Sequence, residues 1–90
     1  MVKLIKTTHC GIFTTYKFAR CLGRLSDEEV YKKNNYVRGY QDDITDISIF
    51  KGKNGMAYYT YSRITQGNRA NLYNMKKEAQ SIYIQSKNIW

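Results

Sequence analysis

Val2–Thr8 places Val2, Leu4 and Lys6 against Lys3, Ile5 and Thr7 in a short, β-branched alternation, which predicts a strand. Gly11 interrupts it. The next segment carries two patterns at once. Ile12, Tyr16, Ala19 and Leu22 fall at i, i+4, i+7 and i+10, the stripe of an amphipathic helix. The same stretch holds the strand formers Ile12, Phe13, Thr14, Thr15, Tyr16 and Phe18, and His9-Cys10-Gly11 offers a hairpin turn before it. The apolar stripe favours a helix from about Thr14 to Leu22. Ser26 followed three residues later by Glu29 is a capping box, and Asp27, Glu28 and Glu29 suit the positive end of a helix dipole, so a short helix is expected from Asp27 to about Asn34.

Ile44–Phe50 and Met56–Arg63 flank Gly52-Lys53-Asn54-Gly55, which predicts a β-hairpin. With Asn54-Gly55 as a two-residue turn, Phe50 faces Tyr59 and Ser48 faces Tyr61. One face then carries Ser48, Phe50, Ala57, Tyr59, Tyr61 and Arg63, and the other Ile47, Ile49, Lys51, Tyr58, Thr60 and Ser62. Beyond Gly67, Leu72, Met75, Ala79, Ile82, Ser86 and Ile89 are spaced three and four apart, a helical seam of about five turns, with Lys76, Lys77, Gln80 and Lys87 off it. A strand over Ser81–Ser86, built on Ile82-Tyr83-Ile84, is the competing pattern. Together these elements predict one α+β domain over residues 1–90: a small, mainly antiparallel sheet built on a central β-hairpin and packed on a C-terminal helix.

The composition, 42% apolar and 24% charged, is that of a folded chain. Ninety residues leave no room for a cofactor domain, and no cofactor motif is present. No apolar run approaches the roughly 20 residues that span a bilayer, so the expectation is a cytoplasmic protein with no membrane partner. Cys10, Cys21 and His9 supply at most three zinc ligands where a structural site needs four, and the two cysteines are expected to be half-buried free thiols. Asp42, Asp43 and Asp46 lie in one short loop with no acid or histidine nearby in sequence, which argues for solvation rather than a metal.

Charge changes the picture more. The chain carries 15 basic and 7 acidic residues, a net charge of +8. All six acids other than Glu78 fall within residues 27–46, between two basic segments. Such an excess suits a polyanion, because neutralising phosphates releases counterions. Nine tyrosines accompany it, with no proline. Lys, Asn, Ile and Tyr are all favoured by AT-rich codons, and the composition has the look of a phage or mobile-element gene. Residues 54–61, Asn-Gly-Met-Ala-Tyr-Tyr-Thr-Tyr, partly resemble the aromatic octapeptide of RNA-recognition-motif domains. Gly55, Ala57, Tyr58 and Tyr61 fit that pattern, whereas Asn54, Met56 and Tyr59 depart from it, and Val2–Thr8 lacks the second aromatic signature. The resemblance, eight residues long, implies tyrosines that stack on unpaired bases.

The first expectation is therefore a non-enzymatic protein that binds RNA or single-stranded DNA through a basic, tyrosine-rich hairpin face. Lys51, Lys53, Arg63, Arg69, Lys76 and Lys77 would contact phosphates, and Tyr58, Tyr59 or Tyr61 would stack. The second is a phage-type accessory protein that inhibits or adapts a host protein, with the same tyrosine and arginine residues as its contact patch. A third is a small ribonuclease toxin using Arg38, Tyr40, Arg63, Tyr61 and His9.

Overall fold

In the computed structural model, which describes residues 1–66 and 69–89, seven segments of regular structure follow one another. They are β1 (Lys3–Cys10), β2 (Phe13–Arg24), α1 (Asp27–Val37), a 3-10 turn (Arg38–Tyr40), β3 (Thr45–Lys51), β4 (Met56–Thr65) and α2 (Arg69–Ile89). The four strands form one antiparallel sheet in the order β1-β2-β4-β3. β2 and β3 both run antiparallel to β4, so they are parallel to each other with β4 between them. α1 connects them in a split βαβ arrangement, and β1 adds to the outside of β2. The α+β class, the central hairpin and the C-terminal helix are as the sequence predicts.

The segment expected to be helical over Thr14–Leu22 is instead the longest strand, β2. Its buried positions Thr14, Tyr16 and Phe18 alternate with half-exposed Thr15, Lys17 and Ala19, a period of two. The β-branched and aromatic content decides, and the four apolar positions at helical spacing are coincidental. Gly11-Ile12 makes a two-residue turn between β1 and β2. Only Gly11 takes a positive φ, +62°, as the first central residue of a type II′ turn does.

The β3–β4 hairpin is present, but its register is one residue away from the expected one. Gly55 N–H donates to Gly52 O, and Gly52 N–H donates to Met56 O. The positive φ falls on Gly55 alone, at +81°, so the loop is a three-residue turn with a glycine bulge rather than a two-residue turn on Asn54-Gly55. Phe50 therefore faces Tyr58, and Ser48 faces Thr60. A one-residue slip exchanges the faces of one whole strand. Ile47, Ile49, Tyr59 and Tyr61 share one side, while Ser48, Phe50, Tyr58, Thr60 and Ser62 share the other.

Both helices pack on the first of these sides. Tyr16, Phe18, Ile47, Ile49, Tyr59 and Tyr61 meet Met75, Ala79, Ile82 and Tyr83 of α2 and Val37 of α1 in one core, with Val2 beneath. α2 runs unbroken, so Ser81–Ser86 is helical and the inward seam Met75, Ala79, Ile82 and Ser86 is buried. The capping box of α1 is formed: Glu29 N–H donates to Ser26 Oγ at 3.2 Å, and Ser26 N–H donates to Glu29 Oε1 at 3.3 Å. These bonds hold the Glu29 carboxyl below the usual carboxylate range. The helix runs to Val37, three residues past Asn34, because Val37 is needed in the core. No helix is long and apolar enough to cross a membrane among the described residues.

Candidate nucleic-acid interface

With both helices on one side, the opposite side of the sheet carries no helical cover. We call it the open face. Directly paired residues on neighbouring strands share a face, so the register gives its rows. One row is Cys21–Tyr58–Phe50, the next Lys3–Ala19–Thr60–Ser48, and the third Lys6–Lys17–Ser62–Asp46. Beyond the bulge at Cys21/Gly23, Arg24 faces Met56 beside the hairpin tip.

Tyr58 and Phe50 form an aromatic pair, with ring centroids 5.9 Å apart and planes inclined by 34°. Tyr58 is fixed from two directions. Asn54 Nδ2 donates to its hydroxyl at 2.9 Å, and its ring lies so close to Gly52 that a Cβ there would approach Cε2 to 3.0 Å. A side chain at position 52 would thus press on the ring. Arg24 reaches over the neighbouring Gly55. Lys53 is exposed at the turn.

Two rows along, about 13 Å at the rise of a strand, Lys6 stands directly opposite Lys17. Neither lysine pairs with an acid among the described residues. Like charges directly opposite each other on a sheet are destabilising, and a bound anion removes that cost. Acids gather at the far end of the face: Asp42, Asp43 and Asp46 line a small hollow of about 200 Å³ with Thr15, Ser62 and Ile64. The Ile44 N–H, 3.0 Å from Asp42 Oδ1, lowers the Asp42 carboxyl below its ordinary range. No cluster that could hold a metal ion exists among the described residues.

The candidate residues named from the sequence do not all converge. Tyr58 is on the open face. Tyr59 and Tyr61 are in the core at 0% exposure, where they cannot stack on a base. The Tyr59 hydroxyl donates to Ala79 O at 3.0 Å, and that of Tyr61 donates to Glu78 Oε2 at 2.6 Å. Arg63, on the same buried side, is ion-paired with Glu78, and Lys51 is ion-paired with Asp27. Lys53 sits at the tip near Tyr58. Lys76 and Lys77 are exposed on α2, across the molecule from the open face. The Arg69 side chain lies outside the described residues. No hydrogen bond among the described residues joins His9, Arg38 or Tyr40 to Tyr61 or Arg63. His9 instead meets Thr14 Oγ1 at 3.1 Å, and Tyr40 meets Tyr36. Cys10 and Cys21 are free thiols, as expected, but both are exposed rather than half-buried.

Sequence reasoning missed Lys6, Lys17, Arg24 and Phe50. The signal lay in β2: read as a strand, its Thr15, Lys17, Ala19 and Cys21 turn away from Tyr16 and Phe18 toward the face that bears Tyr58.

No known protein family, curated protein or solved structure matches this chain.

Proposed function

We propose that the protein binds single-stranded nucleic acid, RNA or DNA, along the open face of its sheet. The observation that carries this reading is the pairing of a surface aromatic platform, half-buried Tyr58 with exposed Phe50, with two unneutralised lysines facing each other on the same surface, Lys6 and Lys17. Unpaired bases stack on aromatic rings regardless of sequence, and lysines track the backbone. Arg24 and Lys53 extend the positive charge past the platform. The acids at the far end of the face set a limit to the strand's path, since phosphates avoid carboxylates. Binding of this kind needs no catalytic group. A cytoplasmic setting, where thiols stay reduced, accords with two exposed free cysteines.

Fluorescence anisotropy with labelled oligouridylate and oligothymidylate tests the reading. Tyr58→Ala should weaken binding by about 1–3 kcal/mol, the worth of a stacked base. Lys6→Ala combined with Lys17→Ala should reduce the salt slope by about 1.4, two single-strand phosphate contacts. Lys76→Ala combined with Lys77→Ala should change neither. Absence of binding at low salt, or binding that follows Lys76 and Lys77 instead, would refute it.

A further inference from the structure

The sheet has two outer strands, and the chain treats them differently. On β3 every second residue turns its amide outward, and three of those four amides, all but that of Lys51, are occupied. Thr45 N–H donates to Asp42 O, Ile47 N–H donates to Gln41 Oε1 at 3.1 Å, and Ile49 N–H donates to Asn34 Oδ1 at 2.9 Å. On β1, all eight residues of Lys3–Cys10 are exposed, and no side chain among the described residues bonds to their backbone. An open edge presents N–H and C=O groups at alternate residues to any extended chain.

The two sides of β1 differ in chemistry. Lys3 and Lys6 belong to the open face. Leu4 belongs to the helix face, where α2 stops short of covering it. Next to the start of β1, a groove of about 680 Å³ runs between Met1 and the outward side of α2, walled by Tyr73, Gln80 and Ile84. Met1, Tyr73 and Ile84 are 72%, 65% and 48% exposed, a large apolar surface for so small a chain. Gln80 Oε1 accepts the Val2 N–H at 2.8 Å and so holds groove and strand together. No acid occurs in residues 1–26, and Lys76 and Lys77 line the groove.

We propose that β1 is a docking edge for an extended segment of a partner protein whose acidic and apolar residues alternate. The segment adds as a fifth strand. Its acids stand opposite Lys3 and Lys6, and its apolar side chains lie against Leu4 and in the groove. A bulge between Leu4 and Lys6 keeps Lys3 and Lys6 on one face although they are three residues apart, and on either side of it the period-two alternation of a strand sets that pattern. A second copy of the chain is the wrong occupant, because pairing two β1 strands brings two sets of lysines together without an acid. The inference shares Lys6 with the nucleic-acid reading but does not rest on it, since the edge amides of β1 and Leu4 take no part in that reading.

Hydrogen exchange followed by NMR on the full chain tests it, with a synthetic peptide of alternating Glu and Val as probe. A peptide of the same composition in Glu-Glu-Val-Val order and one of alternating Lys and Val are the controls. The alternating acidic peptide should protect about half of the β1 amides, those turned outward, and leave β3 unchanged; the controls should protect none. Lys3→Glu combined with Lys6→Glu should weaken the acidic peptide about tenfold or more and admit the Lys-Val peptide. Ile84→Asp, on the exposed flank of α2, should also weaken the acidic peptide while leaving oligonucleotide binding intact. Failure of the acidic peptide to protect β1 at millimolar concentration overturns the proposal. Equal protection by the block-ordered peptide does so as well, as does β1 protection that grows with protein concentration alone, the mark of a second copy.

Discussion

Tyr59→Ala should destabilise the protein by about 3–5 kcal/mol, the cost of deleting a large buried aromatic, with a matching fall in the urea midpoint. The ring is fully buried between β2, β3 and α2, with its centroid 5.6 Å from that of Tyr83. Truncation opens a cavity there and removes the hydroxyl that bonds to Ala79 O. The neighbouring Tyr58→Ala should cost far less, within about 1 kcal/mol, because that ring lies half-buried at the surface against Phe50 and Gly52, with its hydroxyl held by exposed Asn54. In a domain whose total stability is of the order of 5–15 kcal/mol, the first change threatens folding and the second does not. Adjacent tyrosines thus give opposite results, and urea unfolding of both variants reads out the register of the hairpin. Equal costs would mean that the two strands are paired one residue away from the arrangement described here.

Alkaline pH should unfold the protein through the same region. Burial, reinforced by the hydrogen bond to Glu78, pushes the Tyr61 hydroxyl up to about 12. Burial also raises Tyr59 strongly. An unfolded tyrosine ionises near 10. Below that value both states hold neutral phenols and the stability is intact. Between about 10 and 12 the unfolded chain loses protons that the folded chain keeps, so stability falls as pH rises. The loss approaches about 1.4 kcal/mol per pH unit for each such group. Urea midpoints measured from pH 8 to pH 12 should therefore drop steeply above pH 10, and Tyr61→Phe should remove part of that drop. A flat profile in the wild-type chain would show that these hydroxyls are not buried as described.

The elements legible in the sequence were those with a single local cause. The capping box at Ser26 and Glu29 has one physical reading, and the three-four seam from Leu72 to Ser86 outweighs the short strand pattern of Ile82-Tyr83-Ile84 by its length; both are present in the structure. β2 was not legible because its apolar residues satisfy two periods, and only pairing with β1 and β4 selects one. The hairpin at Gly52–Gly55 was visible, but its loop length depends on whether Asn54 joins Gly55 in taking a positive φ, and it does not. That choice moved Tyr59 and Tyr61 into the core and left Tyr58 outside. The candidate site was thus half-legible: Tyr58 and Lys53 were named from the sequence, whereas Lys6 and Lys17 lie far apart from them in sequence and share the face of Tyr58 only through the β1-β2-β4 order.

Asn34 and Gln41 occupy the outward amides of β3 with their own amide oxygens. A fibril grows edge to edge only if each molecule has one live edge to receive a strand and another to offer it. Here most of one side is terminated by the chain itself. A strand joined at β1 leaves only the Lys51 end of the second edge open on this molecule, too short to seat another strand. One amide side chain of α1 and one of the loop before β3 thereby act as chain terminators, which lets a basic domain of 90 residues keep one edge strand bare without offering a template for polymer.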